Sequence, residues 1–113
     1  MPEGHTIHRL AKDLNADLVG RSTNARSPQG RFADGASLLN GSTFSKAEAW
    51  GKHLFCSWSG GELLHVHLGL IGKFRPTPLE ADPGDTIRLR LEGAEHAWHL
   101  TGPQTCAIVT PED

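Results

Sequence analysis

The chain has 113 residues, of which 37% are hydrophobic and 21% charged, with 13 glycines and 7 prolines. This length fits one domain with one hydrophobic core, and the composition excludes collagen, a coiled coil and a fully disordered chain. The longest apolar run, residues 63–70, contains two histidines and is far shorter than the ~20 residues of a membrane span. The first three residues lack the basic segment of a secretory signal. We therefore expect a cytoplasmic globular domain with no membrane segment, in which Cys56 and Cys106 are buried thiols.

The net charge of -2 is unevenly distributed along the chain. Residues 1–78 carry 9 Lys and Arg against 6 Asp and Glu, whereas residues 79–113 carry 2 against 7. Nucleic-acid-binding domains are usually basic, so the first part of the chain favours that class mildly and the total opposes it. Charge alone does not select a function.

An amphipathic helix is predicted over residues 4–19. Its apolar positions recur at helical spacing and form one stripe, and Gly20 is the predicted end. The stripe consists of Ile7, Leu10, Ala11, Leu14 and Leu18. Residues 21–40 are rich in Gly, Ser and Asn and show no period, so we expect a loop or an irregular pair of strands there.

The apolar period then becomes two, which is typical of strands with one buried face. Residues 53–58 and 63–70 alternate on either side of a turn at 59–62. A second turn at 82–85 precedes an alternating strand at 87–91, and a further strand is expected around Trp98 and Leu100. We expect residues 76–78 to be a surface loop, because proline cannot donate to a central ladder. The pattern predicts a mostly β domain, an antiparallel β-sandwich over residues 21–109 with one N-terminal helix.

Three residues could carry chemistry. Removal of the initiator methionine would expose the secondary amine of Pro2, and an α-amine is unprotonated at neutral pH roughly a few hundred times more often than a lysine. Such an amine can form a Schiff base by attack on a carbonyl-like carbon, and the adjacent Glu3 could act as the acid or base. Both residues are also ordinary choices at a helix start. Lys52 could contact a phosphate, or it could be a solvated charge that discourages edge pairing.

Three sequence motifs, in the order and with the spacing found in one protein family, carry a family resemblance. They are Met1-Pro2-Glu3-Gly4-His5 before the helix, Gly51-Lys52-His53-Leu54, and His67-Leu68-Gly69-Leu70-Ile71-Gly72. Together they resemble the N-terminal catalytic domain of the formamidopyrimidine-DNA glycosylase/endonuclease VIII family, and the Pro-Glu-Gly start resembles the bacterial endonuclease VIII branch. The resemblance extends over essentially all 113 residues.

This resemblance implies a bifunctional glycosylase and abasic-site lyase that acts on oxidised bases in double-stranded DNA by β,δ-elimination in the bacterial cytoplasm, near the nucleoid. Pro2 is then the nucleophile that forms the Schiff base, Glu3 the acid or base at the sugar, and Lys52 a catalytic lysine that contacts phosphate. Leu70 would fill the space left by the extruded base, although its period also fits the core, and His67 would contact DNA.

Two departures from the family qualify this assignment. Gly102-Pro103-Gln104-Thr105-Cys106 stands where one branch of the family has Arg-Arg-Phe, which places that branch's recognition of the opposite base in doubt. The family's helix-two-turn-helix and zinc-finger half is not contained in residues 1–113, so no cofactor or metal is expected in this domain. We expect weak DNA binding and at most residual lyase activity on preformed abasic sites, because several phosphate contacts are missing.

Two other functions remain open. A histidine-rich metal site on the sandwich would use His65 and His67 with His53 and His99, but these residues have no carboxylate at a recognisable spacing. A non-catalytic DNA-contact or structural fragment is the second. The tryptophans at 50, 58 and 98 could stack on bases, with core packing favoured for Trp58, and we expect Arg88 and Arg90 to be solvated on an outer strand face.

Overall fold

Alternating apolar residues give this chain two four-stranded antiparallel sheets that face each other across one core. The computed structural model describes residues 4–109, with side chains from Thr6 onward. The elements in chain order are α1 (Gly4–Leu18), β1 (Asn24–Arg26), α2 (Ala33–Leu39), β2 (Phe44–Trp50), β3 (His53–Trp58), β4 (Leu63–His67), β5 (Lys73–Pro78), β6 (Leu89–Glu92), β7 (His96–Thr101) and β8 (Thr105–Val109). The predicted antiparallel sandwich with an N-terminal helix is confirmed.

The two sheets have different strand orders. One sheet has the order β1-β6-β7-β5 and the other β2-β3-β4-β8. In the second sheet, alternate residues of β3 and β4 are fully buried against the opposite sheet, as the period of two predicts. These inward residues are Leu54, Cys56, Trp58, Leu64 and Val66. The intervening residues of the same strands therefore form the outer face of this sheet.

Helix α1 buries its predicted apolar stripe beside the second sheet. Ile7, Leu14 and Leu18 are almost completely buried, and the helix packs mainly against β2. Gly20 follows the helix with a φ of 80°, and its amide donates to the Phe44 carbonyl at 2.9 Å. The left-handed conformation, which glycine adopts without a steric cost, thus turns the chain from the helix toward the sheet. No helix among residues 4–109 is long and apolar enough to cross a membrane.

A second helix corrects the expected loop at residues 21–40. The helix α2 has seven residues, contains Gly35 and has no side-chain cap at Phe32, so local propensity did not indicate it. Burial stabilises it instead: Ala36 and Leu39 are buried, and a β-carbon at position 35 would lie 2.3 Å from the Phe32 ring. Tertiary packing therefore overrides the sequence preference of this segment.

The expected surface loop at residues 76–78 is also wrong, because these residues complete β5. This strand lies at the edge of its sheet, with Pro76 opposite Trp98 and Pro78 opposite His96. An edge strand needs hydrogen bonds on one side only, so it accommodates residues without an N–H group.

Arg90 is buried rather than solvated on an outer strand face, and only 3% of it is exposed. Its guanidinium donates to the carbonyls of Leu79 at 2.5 Å and Ala81 at 3.1 Å, and to Nε2 of His99 at 2.6 Å. Glu92 lies further away, with 3.8 Å between Oε1 and the arginine Nε. Arg90 therefore connects the chain after β5 to the neighbouring strands β6 and β7.

We expect Arg90→Ala to lower the free energy of unfolding by about 2–4 kcal/mol, because it removes a buried guanidinium and leaves two half-buried carbonyls without donors. Urea denaturation would measure the change. Arg75→Ala is the matched control, since Arg75 is exposed on β5, and its effect should stay within about 0.5 kcal/mol. Equal stability of the two variants would contradict the role given to Arg90.

His99 should make stability depend on pH. Burial lowers the pKa of His99, and the guanidinium groups of Arg90 and Arg26 lower it further. The unfolded chain then binds a proton near pH ~6.5 that the folded chain resists, so stability should fall as the pH decreases from about 7 to 5. Urea midpoints at these two pH values should show a shallower pH dependence in His99→Gln. An unchanged slope in that variant would contradict this assignment.

Candidate functional site

Asn15 fixes the direction of α1 relative to β2. Its side-chain oxygen accepts from the Ala47 amide at 2.7 Å, and its side-chain nitrogen donates to the Ala47 carbonyl at 3.0 Å. The groove between the two elements continues from Asn15 and Ala47 to His8 and Trp50. The helix therefore runs antiparallel to β2, and its first turn lies at the end of the sheet where β2 turns into β3.

The turn between β2 and β3 presents Lys52 to solvent. Only Gly51 and Lys52 lie between the paired residues Trp50 and His53. Gly51 has a φ of 59°, and two-residue hairpin turns favour glycine at the first position because the backbone there has a positive φ. Both turn residues are exposed. The hairpin thus holds the predicted phosphate-contacting lysine at the tip of the sheet.

The turn between β4 and β5 projects two apolar side chains into solvent. Leu70 is 73% exposed and Ile71 is 74% exposed. The Gly72 amide donates to the Leu68 carbonyl at 3.0 Å, and a β-carbon on Gly72 would lie 2.3 Å from that carbonyl oxygen. This exposure excludes the alternative in which Leu70 belongs to the sandwich core.

Three features meet at one end of the sandwich, which we name the turn end: the first turn of α1, the hairpin turn with Lys52, and the turn with Leu70 and Ile71. A groove of about 430 Å³ is lined by Thr6 and Leu10 of the helix together with Leu68, Leu70 and Ile71. The groove shows directly that the beginning of α1 adjoins the second turn. The sequence motifs are therefore brought together in space.

His67 lies at the same end, as the last residue of β4. It pairs with His53 on one side and Thr105 on the other. The Gln104 amide donates to the His67 carbonyl at 2.8 Å, so the loop at 102–104 also reaches the turn end. In that loop Gly102 has a φ of 56° and Gln104 is exposed.

Pro2 and Glu3 lie outside the described residues, so their roles stay predictions. The cysteines are poor alternatives as nucleophiles. Burial raises the pKa of Cys56 strongly and that of Cys106 to about 12, so both thiols stay protonated at neutral pH. Cys56 is buried as expected, whereas Cys106 is only half-buried.

The histidines do not form a metal centre in the part of the chain that the structure describes, where no group of three or more His, Cys, Asp or Glu side chains is arranged to hold an ion. His53 and His65 bond to each other, with 2.9 Å between Nδ1 and Nε2. His99 belongs to the other sheet, where it contacts Arg90. The metal alternative therefore has no support among these side chains.

Two features of this region were not predicted from the sequence. Asn15 was missed because it lies beside the apolar stripe of α1. The spacing of apolar residues does not indicate which polar side chain will hydrogen-bond to an edge strand. The sequence pattern places His53 and His65 on neighbouring strands, but the stacking of Phe55 of β3 on His65 of β4 was also missed. The shared outer face was readable from the alternation of the two strands, but the register that brings these rings together was not.

Two solved structures illustrate the fold that this chain shares with other proteins. The formamidopyrimidine-DNA glycosylase of Lactococcus lactis, bound non-covalently to DNA containing an abasic site, matches with a TM-score of 0.79 and 21% identity, over 98% of this chain and 46% of that one. MutM in complex with DNA containing carbocyclic 8-oxo-G matches with a TM-score of 0.77 and 19% identity, over 98% of this chain and 46% of that one. At these identities the similarity establishes the fold.

Sequence comparison establishes the family. The profile of the formamidopyrimidine-DNA glycosylase N-terminal domain matches residues 1–108, and the chain belongs to this family. Endonuclease 8 1 of Mycobacterium tuberculosis strain H37Rv is 50% identical over 114 residues, covering 96% of this chain and 42% of the relative. Endonuclease 8 of Enterobacter sp. strain 638 is 31% identical over 115 residues, covering 99% of this chain and 44% of the relative. The chain thus spans less than half the length of these relatives.

We expect Asn15→Ala to lower the free energy of unfolding by about 1–2 kcal/mol, because it removes both hydrogen bonds to Ala47. Asn24→Ala, at an exposed position on β1, is the control and should change stability little. Thermal unfolding measures the loss. Hydrogen exchange at the Ala47 amide should increase in the first variant alone, and unchanged protection would show that the helix is held by packing only.

Proposed function

We propose that this chain is the catalytic domain of a DNA base-excision glycosylase and abasic-site lyase of the endonuclease VIII type. The observation that carries the proposal is the meeting of the α1 start, Lys52 and Leu70 at the turn end. Helix α1 begins at Gly4, which follows Pro2 and Glu3 in the sequence. We propose that the processed Pro2 amine acts at the turn end together with Lys52 and Leu70.

The proposed reaction begins with attack of the Pro2 nitrogen on C1′ of a damaged nucleotide. A bond from the Pro2 nitrogen to C1′ replaces the bond to the base, which leaves with the amine proton, and Glu3 then protonates the ring oxygen O4′ so that the C1′–O4′ bond breaks and an iminium forms. The iminium withdraws electrons, so loss of a C2′ proton expels the 3′ phosphate, and loss of a C4′ proton then expels the 5′ phosphate. On a preformed abasic site the same iminium forms by addition to the aldehyde and loss of water.

Lys52 and Leu70 have separate roles in this proposal. Lys52 is an exposed cation at the tip of a rigid two-residue turn, which suits an ion pair with the phosphate beside the reacting sugar. His67 would contact the sugar-phosphate backbone of the same DNA strand. Leu70 would enter the base stack in place of the extruded nucleotide, a role for which an exposed apolar side chain on a tight turn is suited.

The partner in this proposal is damaged double-stranded DNA, in the bacterial cytoplasm. The family match and the endonuclease 8 relatives support a role in DNA repair. Oxidised bases are the proposed substrates by analogy with the family. Because the matched part is less than half of each relative, weak binding to DNA is expected of this chain alone.

Borohydride trapping on a duplex with one abasic site tests the proposal. The processed chain should give a covalent adduct whose mass maps to the N-terminal peptide. Lys52→Ala should reduce trapping about ten-fold or more, which is the loss of one charge-assisted hydrogen bond. Lys12→Ala removes an exposed lysine from α1 and is the matched control, which should trap at the original rate.

Variants at the terminus decide the identity of the nucleophile. One extra residue before Pro2 should abolish the adduct, and Pro2→Gly should reduce it. An adduct that persists with the blocked terminus would assign the chemistry to another amine and overturn the Pro2 mechanism. DNA binding without any adduct, in the processed chain, would support the non-catalytic alternative instead.

A further inference from the structure

Five ring side chains share the outer face of the sheet β2-β3-β4-β8, and we name them the ring patch. Two rows of cross-strand neighbours compose it: in one row Trp50 lies opposite His53, which lies opposite His67, and in the other Phe55 lies opposite His65. The core-facing neighbours of these residues, such as Leu54 and Val66, are buried. The patch therefore faces away from the sandwich core.

Four of the five rings pack against one another, with Phe55 and His65 stacked and both His53 contacts tilted. The centroids of Phe55 and His65 are 4.7 Å apart with planes inclined by 9°, and those of His53 and His67 are 4.4 Å apart. A contact of 2.9 Å between Nδ1 of His53 and Nε2 of His65 joins the two rows. Because these contacts already hold the rings in place, the protein side chains would lose little conformational entropy when a flat ligand binds.

The surroundings of the ring patch suit an aromatic ligand that carries negative charge. Trp50 is 66% exposed, and a groove of about 730 Å³ runs past Trp50, Phe55 and His65. Lys46 lines one side of the groove and forms an ion pair with Glu48, whose carboxylate also accepts from Nε1 of Trp50 at 3.2 Å. Lys52, in the hairpin turn after Trp50, is a second lysine beside the patch and lies at the turn end.

The three histidines contribute aromatic rings to the patch. Burial lowers the pKa of His65, and the neighbouring His53 and His67 lower it further. A neutral imidazole presents an aromatic face together with one donor and one acceptor. The patch therefore offers stacking surfaces and hydrogen-bonding groups, with Lys46 and Lys52 at its edges.

We propose that the ring patch binds unpaired bases of single-stranded DNA that extends from the duplex held at the turn end. Exposed rings on a sheet stack successive bases, and the two rows are separated by about 6.6 Å along the strands, so they have room for two or three bases. The patch begins at His67 and Lys52, which makes it continuous with the proposed duplex site. The inference rests on the proposed function for its orientation, but not for the binding itself.

Tryptophan fluorescence provides a local readout, because Trp50 is exposed whereas Trp58 and Trp98 are buried. Titration of the whole chain with a ten-nucleotide oligothymidylate should quench the Trp50 emission. A blunt duplex of equal length should quench it much less, because its bases are already stacked. Equal quenching by both would overturn the stacking proposal.

Matched variants test the rings. Affinity for labelled oligothymidylate, measured by anisotropy, should fall about five-fold or more in Phe55→Ala and in Trp50→Ala, whereas Phe55→Tyr should retain it. Leu38→Ala is the control at an exposed apolar position on α2. Trp50→Ala alters a mostly exposed side chain, so its result stands even where Phe55→Ala lowers stability. Unchanged affinity in Trp50→Ala would contradict the proposal.

A charge variant gives an effect of opposite sign. Glu48→Gln removes a carboxylate from the groove and releases Lys46, so affinity for the oligothymidylate should increase and its salt dependence should steepen by about 0.7 in the log–log slope. A lower affinity would show that the patch does not meet phosphate. The oligothymidylate has no abasic site, so these results are independent of borohydride trapping, and each proposal can fail without the other.

Discussion

The pair of hydrogen bonds between the Asn15 side chain and the Ala47 backbone determines where the first turn of α1 lies. Edge strands leave backbone donors and acceptors unpaired, and here a helix side chain satisfies one of each on β2. The bonds set the position of α1 along the strand, and the buried stripe of the helix sets its rotation. Together they place the helix start beside the turns that follow β2 and β4, which sequence separation alone would keep far apart.

The turn end departs from what stability alone would favour. Leu70 and Ile71 remain in water, although burying such a side chain typically stabilises a fold by about 1.5–3 kcal/mol. The backbone prevents their burial, because Gly69 has a φ of 69° and Gly72 approaches the Leu68 carbonyl too closely for any side chain. An apolar pair held outward by a rigid turn is typical of a surface that meets a partner. The proposed function gives this exposure a physical reason.

The sequence predicted the parts of the fold that depend on periodicity. The stripe from Ile7 to Leu18 gave α1, and the alternation in β3 and β4 gave both the hairpin and the correct buried face. It failed where distant residues decide the structure. The seven-residue helix α2 exists because Ala36 and Leu39 are buried in the common core, and Arg90 is buried because carbonyls from the chain after β5 reach it. Neither of these packing arrangements produces a pattern in the neighbouring sequence from which it could be predicted.

The candidate site follows the same division. Motifs identified Lys52, Leu70 and His67, and the structure shows that they share one end of the sandwich, but spacing could not show that the β2–β3 and β4–β5 turns adjoin the start of α1. The ring patch required the register as well. In an antiparallel sheet a shift of one residue would place His53 and Phe55 inside and Leu54 and Cys56 outside, so burial of the aliphatic residues on β3 is what exposes the rings. The hydrophobic core and the proposed binding surface are therefore set by one and the same register.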